Sequence, residues 1–310
     1  MGVVFNALVF LVLFSLLIFS IYFLWVNLPT PPQEFETFTS ITTENISTKS
    51  SQFYPNMRYP DRIISYSFSE SCDQKKRTDG RAAFALLQQK TILMFNESLE
   101  AQIEISCENI APQPTQENHF VAGEGGPTEI INATRYAVIT SGKIALYRPE
   151  SCKTPQVATH EILHALGFDH NAHKTSIIYP VTNCRQTIDA YIIEEINNLY
   201  RDSALSDLVI ERVKANKTGR YLNIEVIIAN DGLKEAKNAF LDLSANEERV
   251  KTFDIGNYSI GTKRIITVTN IYIPRETNRV SFVVYHQERE LSKENNGAVV
   301  NIRPRQSSSQ

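Results

Sequence analysis

Five residues with chemical side chains or special backbone freedom stand at fixed offsets between positions 160 and 170: His160, Glu161, His164, Gly167 and His170. Four apart on an α-helix, His160 and His164 lie on one face, one turn apart, where two imidazoles can share a metal ion. Glu161 follows the first and points beside the ion, the place of a general base acting on metal-activated water. Gly167 reaches positive φ at little cost, so the helix can stop and the chain can fold back. The return brings His170 to the ion as a third nitrogen ligand. Three imidazoles with a fourth position left to water are the donor set of a catalytic Zn²⁺ site rather than a closed structural one.

A helix must carry the first two ligands. Thr154 is a suitable N-cap and Pro155 a suitable first helical residue. Val157, Ala158, Ile162, Leu163, Ala165 and Leu166 give that helix an apolar surface to bury. Upstream, alternation predicts a strand over 62–70, a helix over 73–94 and a strand over 101–107. Residues 123–127 read as a loop. They lack the Lys-Ser/Thr of a phosphate loop. Residues 128–147 read as further strands with a Ser-Gly turn at 141–142, the first a candidate sheet edge to which an extended peptide could add. From Asp207 onward the pattern is short strands: 222–226 running to an Asn230-Asp231-Gly232 turn, then 239–243, 264–273 and 279–285. About one hundred residues of this kind predict a seven-strand β-sandwich.

The chain has 310 residues and a net charge of −3. That balance offers no basic footprint for nucleic acid. Residues 7–26 are apolar except for Ser15 and Ser20, about 30 Å of helix and one bilayer core. Trp25 and Tyr22 lie toward its outer end, as interfacial aromatics do. A cleaved signal peptide would show a basic start and a small-residue cleavage site. Neither is evident, so an uncleaved anchor is expected, with a long signal peptide as the alternative. Residues 29–52 are rich in Thr, Ser and Pro and read as a flexible stalk with roughly 25–30 Å of reach. Four cysteines permit three pairings. Asn45, Asn96, Asn132, Asn216 and Asn257 each open an N-glycosylation sequon, in keeping with export.

With these residues in view, the chain resembles the metzincin peptidases, and within them the matrixins, over roughly residues 53–203. After His170 the run Ser176-Ile177-Ile178-Tyr179-Pro180 is similar to the matrixin Met-turn, and residues 188–200 are similar to the closing helix that ends in Leu-Tyr. The resemblance implies Zn²⁺ on His160, His164 and His170, Glu161 as the catalytic base, and Ile178, Tyr179 and Pro180 as structural residues beneath the metal. Ile178 stands where the family has methionine, an apolar exchange of similar volume. His173 falls where the family has a surface loop; His119 and His286 have no motif around them. Residues 180–183 are expected to line the pocket for the residue after the cut. No cysteine lies in residues 29–52, so the family's cysteine latch is not available. Cys152 and Cys184 flank segments that pack at one site in matrixins, which implies a Cys152–Cys184 bridge and leaves Cys72 with Cys107. Residues 207–296 resemble a CARDB-type, immunoglobulin-like domain.

The expected architecture is an α+β metzincin-like catalytic domain, a twisted mixed sheet plus helices, followed by an all-β sandwich and preceded by an N-terminal transmembrane helix. Its expected parts are an anchor (1–28), a stalk (29–52), a zinc protease domain (53–203), a sandwich (204–303) and a disordered tail (304–310). The expected function is a single-pass, outward-facing zinc endopeptidase of the cell membrane. Its partners would be a protein or peptide substrate, the lipid membrane, and a cell-surface ligand of the C-terminal domain. The alternative is a surface adhesion or scaffold protein that keeps the zinc-site fold without catalysis.

Overall fold

Helix α1 spans Gly2–Asn27, and its side chains over residues 9–23 are exposed. The structure, a computed structural model, describes residues 2–27, 33–38, 51–108, 110–112 and 121–301. Among the described residues no helix is long and apolar enough to cross a membrane. The spanning helix expected over 1–28 is therefore not found among the described residues. The tail, His119 and Asn45 lie outside the described residues.

A second correction concerns the stalk. Gln33–Phe38 is a strand, β1. It pairs antiparallel with the second domain, from Gln33 opposite Lys217 to Phe38 opposite Arg212. This part of the segment is fixed by main-chain hydrogen bonds to a strand distant in sequence, which Thr/Ser/Pro content does not reveal.

The first domain is built on a mixed sheet of β2 (Met57–Arg58), β3 (Ile63–Phe68), β4 (Met94–Glu97), β5 (Ile103–Ser106), β6 (Gly123–Asn132) and β7 (Ala137–Leu146). The order is β2-β7-β5-β3-β4, all parallel, with β6 antiparallel on β7. Helix α2 (Gln74–Lys90) follows β3. Its N-cap is Asp73, whose carboxylate accepts from the Lys76 amide at 2.8 Å. Ala83, Phe84 and Leu87 form its buried face, and Phe84 stacks on Tyr66 at 4.0 Å. Helices α3 (Gln156–Ala165) and α4 (Ala190–Leu199) complete the core through Ile162, Leu163, Ile192 and Ile196.

Residues 123–127, expected as a loop, begin β6, and Ser141-Gly142, expected as a turn, lies inside β7. The turn falls instead at 133–136. Glycine and proline weaken a strand in isolation, but β7 supplies the pairing, and a bulge after Pro127 accommodates the missing N–H.

Cys72 is bonded to Cys107 and Cys152 to Cys184. The first bridge ties the start of α2 to the end of β5. The second joins the approach to α3 to the segment before α4.

The second domain holds β8 (Leu208–Thr218), β9 (Tyr221–Asn230), β10 (Ala236–Ala245), β11 (Glu248–Tyr258), β12 (Lys263–Tyr272), β13 (Arg279–Tyr285) and β14 (Gly297–Asn301). They form two antiparallel sheets, β1-β8-β9-β12 and β11-β10-β13-β14. Inward residues such as Val213, Val226, Leu241 and Phe282 enclose one core. The buried Asn230 side chain is fully used. Its carbonyl accepts from the Asp207 and Gly232 amides, and its amide donates to the Lys234 and Tyr258 carbonyls.

The domains meet at the β6–β7 turn. Tyr136 and Val138 pack with Leu233, joined by Ile131, Ala204, Ile260 and Leu291. The Thr134 amide donates to Asp231 at 3.3 Å, and Arg135 lies 3.9 Å from Asp202 and 4.0 Å from Asp207. Behind them the buried Arg58 guanidinium donates to the carbonyls of Tyr59, Pro60, Leu199 and Asp202 and lies 4.5 Å from the Tyr200 ring. Burial lowers its pKa.

Each bridge closes a loop of comparable size, with separations of 35 and 32 residues, worth about 3–4 kcal/mol in the chain-entropy model. Replacing Cys72 and Cys107 together by Ala is therefore expected to lower unfolding stability by about 2–5 kcal/mol, read from the urea midpoint and slope. An unchanged midpoint would show that the bridge constrains nothing in the unfolded chain.

Candidate metal centre

Helix α3 starts one residue later than its sequence suggests. Pro155 holds the N-cap position without a side-chain cap. Thr154 does not cap; its hydroxyl accepts from the Gln156 side chain. The orphan Val157 amide is satisfied by the Glu150 carboxylate at 2.9 Å, which also takes the Ser151 and Cys152 amides.

At the other end the helix closes in a Schellman motif. The Gly167 amide donates to the His164 carbonyl at 2.9 Å, and the Phe168 amide donates to the Leu163 carbonyl at 3.0 Å. Gly167 has φ +97, and a Cβ there would stand 2.6 Å from Met57 Sδ. Only glycine meets both demands. Beyond it the chain is tied to the start of the domain: Phe53 N–H donates to the Gly167 carbonyl, and Asp169 N–H to the Ser51 carbonyl. The Phe53 ring lies 5.9 Å from the His164 ring.

These constraints bring the three imidazoles together. Their Nε2 atoms are separated by 2.9 Å (His160–His164), 3.1 Å (His160–His170) and 3.1 Å (His164–His170). His160 Nδ1 lies 2.6 Å from the Ile177 carbonyl, and His164 Nδ1 lies 2.7 Å from the Phe168 carbonyl. A carbonyl only accepts, so each Nδ1 carries the proton and each Nε2 presents a lone pair. Lone pairs crowded this closely repel unless a cation sits between them. A tetrahedral ion with nitrogen bonds of about 2.0–2.1 Å spaces its ligands about 3.3 Å apart, near the observed triangle. The residues therefore fit zinc.

Electrostatics agree. Burial, then the neighbouring His164, pushes the His160 pKa down to about 3; burial also lowers His164 and His170. Neutral imidazole is the form that ligates. The Glu161 carboxyl is pushed up to about 8, first by burial and then by the charge of Glu124. Strand β6 lies directly on this residue. A Cβ on Gly123 would stand 2.9 Å from Glu161 Oε1, and one on Gly125 would stand 2.3 Å from the Glu161 carbonyl oxygen. Glu124, between them, accepts from the Tyr147 hydroxyl at 2.8 Å.

Ile178 is fully buried in the main core, Tyr179 is half-buried and Pro180 is exposed. Their turn is pinned by Ser176, which hydrogen-bonds Asp189, and by the Ile177 amide, which donates to the Thr187 carbonyl at 2.9 Å. Asn183 lines a surface cavity with Lys174, Thr175, Cys184 and Arg185. His173 is exposed and outside the metal cluster. His286 is buried in the second domain, where it hydrogen-bonds Ser206. Sequence reasoning missed Glu150, Glu124, Tyr147 and the Ile177 and Phe168 carbonyls. Gly123 and Gly125 were its one available signal, since paired glycines in a strand mark close backbone approach.

Residues 59–201 match the sequence model of the matrixin peptidase family. No curated protein matches. The second domain is similar to two solved structures of the CARDB domain of a Pyrococcus furiosus protein. One is a crystal structure in complex with di-metal ions, at 18% identity over 32% of this chain and 87% of that one, with a TM-score of 0.27. The other is a solution NMR structure, at 18% identity over 32% of this chain and 94% of that one, with a TM-score of 0.28.

The shifted Glu161 carboxyl gives metal-stripped protein a pH signature. From its ordinary value of 4.5 up to about 8, the native state holds a proton that the unfolded state has released. Stability therefore falls as pH rises through that window. Above about pH 7.5 the histidines are almost entirely neutral in both states. Chelator-treated protein is thus expected to lose stability between about pH 7.5 and 8.5, and Glu161→Gln to flatten the profile there. Equal slopes for the two would contradict the buried, protonated carboxyl.

Proposed function

Because residues 59–201 are a matrixin zinc metalloendopeptidase domain, we propose that this chain is an outward-facing, membrane-anchored endopeptidase that cuts proteins and uses Glu161 as its proton carrier. The observation that carries the reading is the triangle of Nε2 atoms, none farther than 3.1 Å from another, with a buried carboxyl on the residue next to the first ligand.

Each side chain has a distinct task. His160, His164 and His170 hold zinc, and the Ile177 and Phe168 carbonyls keep two of the rings in the ligating tautomer. When bound, zinc supplies Lewis acidity, polarising the carbonyl under attack and making water a stronger acid. Glu161 takes the proton from the attacking water and returns it to the leaving amine. A carboxyl whose pKa lies near neutrality can do both. The far side of β6 takes no strand among the described residues. An extended substrate adding there by main-chain hydrogen bonds would lie beside the site.

Export and anchoring rest on other grounds. Two disulfides suit an oxidising compartment. The sequon residues Asn96, Asn132 and Asn257 are exposed. The anchor is proposed from the sequence alone: residues 7–26 are apolar except for Ser15 and Ser20.

In a digest of a denatured protein, Glu161→Ala is expected to lose roughly 10²–10⁴ in rate while retaining one zinc per chain by metal analysis. A chelator should abolish cleavage by the wild type. Undiminished cleavage by the variant would remove Glu161 from the mechanism. Alkaline extraction of expressing cells should leave the chain in the membrane pellet, and deletion of residues 2–27 should release it. Release of the intact chain would end the anchor reading.

A further inference from the structure

Strand β6 connects the zinc helix to the second domain. Its first residues, Gly123 and Gly125, press on Glu161. Its last, Ile131 and Asn132, meet the turn between β11 and β12. Ile131 shares the apolar cluster of Tyr136, Val138, Leu233 and Ile260. Gly261 approaches so closely that a Cβ on it would stand 2.5 Å from Ile131 Cγ2 and 3.6 Å from the Asn132 carbonyl oxygen. One side of β6 is paired with β7 from Gly123 to Asn132, with a bulge after Pro127; among the described residues no strand takes the other.

The relation of the two domains at this point is fixed by direct contacts. The Thr134 amide donates to Asp231, and Arg135 sits between Asp202 and Asp207. The residues around Gly261 therefore stand at a set distance from the catalytic carboxyl. From Gly123 to Ile131 the strand advances about 26 Å, at about 3.3 Å per residue. Ser259 and Lys263, on either side of Gly261, are exposed.

We infer that residues 259–263 of the second domain belong to the substrate-binding surface, where they receive the extended arm of a polypeptide about eight residues from the bond that is cut. This rests on the peptidase reading and adds a substrate class to it. The preferred substrate is a long, extended or unfolded polypeptide whose main chain follows the free edge of β6. A short peptide fills the zinc site but stops before the second domain, and so forgoes binding energy that a long chain can direct to the reacting centre.

The test uses the full chain. A peptide of about twenty residues that the wild type cuts near its middle is compared with versions trimmed to about four residues on either side of the cut. Trimming on one side is expected to lower kcat/KM about tenfold, and trimming on the other to leave it unchanged. For contact, zinc-loaded Glu161→Ala protein is irradiated with peptides carrying a photoreactive phenylalanine about three or about eight residues from the cut. The distant probe on the sensitive side should label residues 259–263; the near probe should label only the first domain. Cleavage that is indifferent to arm length, or labelling confined to residues 59–201 from every position, would overturn this inference and leave the peptidase reading intact. Absence of cleavage of every peptide would overturn both.

Discussion

Three imidazole nitrogens held within 3.1 Å of one another, two of them fixed as bare lone pairs, form an arrangement that needs support, because the lone pairs repel and the rings rotate easily. Two main-chain carbonyls provide that support. Phe168 offers its oxygen because the helix closes in a Schellman motif at a glycine with positive φ. Ile177 offers its oxygen because a tight turn is held by Ser176, Asp189 and Thr187. The Cys152–Cys184 bridge joins the segments on either side of this construction. The metal preference thus depends on backbone geometry, which fixes tautomers before any ion arrives.

The same economy of space governs the carboxyl. β6 runs so close to α3 that side chains at Gly123 and Gly125 would strike Glu161. Excluding water from one side of Glu161 raises its proton affinity, and the Glu124 charge, steadied by Tyr147, raises it further. Packing and reactivity are therefore one fact here. The strand that dries the carboxyl also presents the free edge on which a substrate would lie.

Beyond the site, the chain is interlocked. A strand that precedes the first domain completes a sheet of the second, and an apolar cluster with flanking hydrogen bonds joins the two at the β6–β7 turn. Occupying one side of β8 removes an open edge that would otherwise invite pairing with other chains. Arg58, with its guanidinium on carbonyls and against Tyr200, fills the space beneath the junction.

The sequence by itself determined the ligand set. His160, His164, Gly167 and His170 lie within eleven residues, and over so short a span helix periodicity and a single glycine fix relative positions almost unaided. Short-range pattern also marked α2, β3 and β5 and the antiparallel sheets after residue 207. What depends on distant partners was not legible. The glycines of β6 read as a loop until β7 supplied its hydrogen bonds, and Gln33–Phe38 read as coil until β8 did. Which of three cysteine pairings forms, which carboxylate caps α3, and which carbonyls orient the imidazoles are likewise tertiary decisions. Each depends on a contact between residues far apart in the chain, and neither propensity nor spacing carries that information.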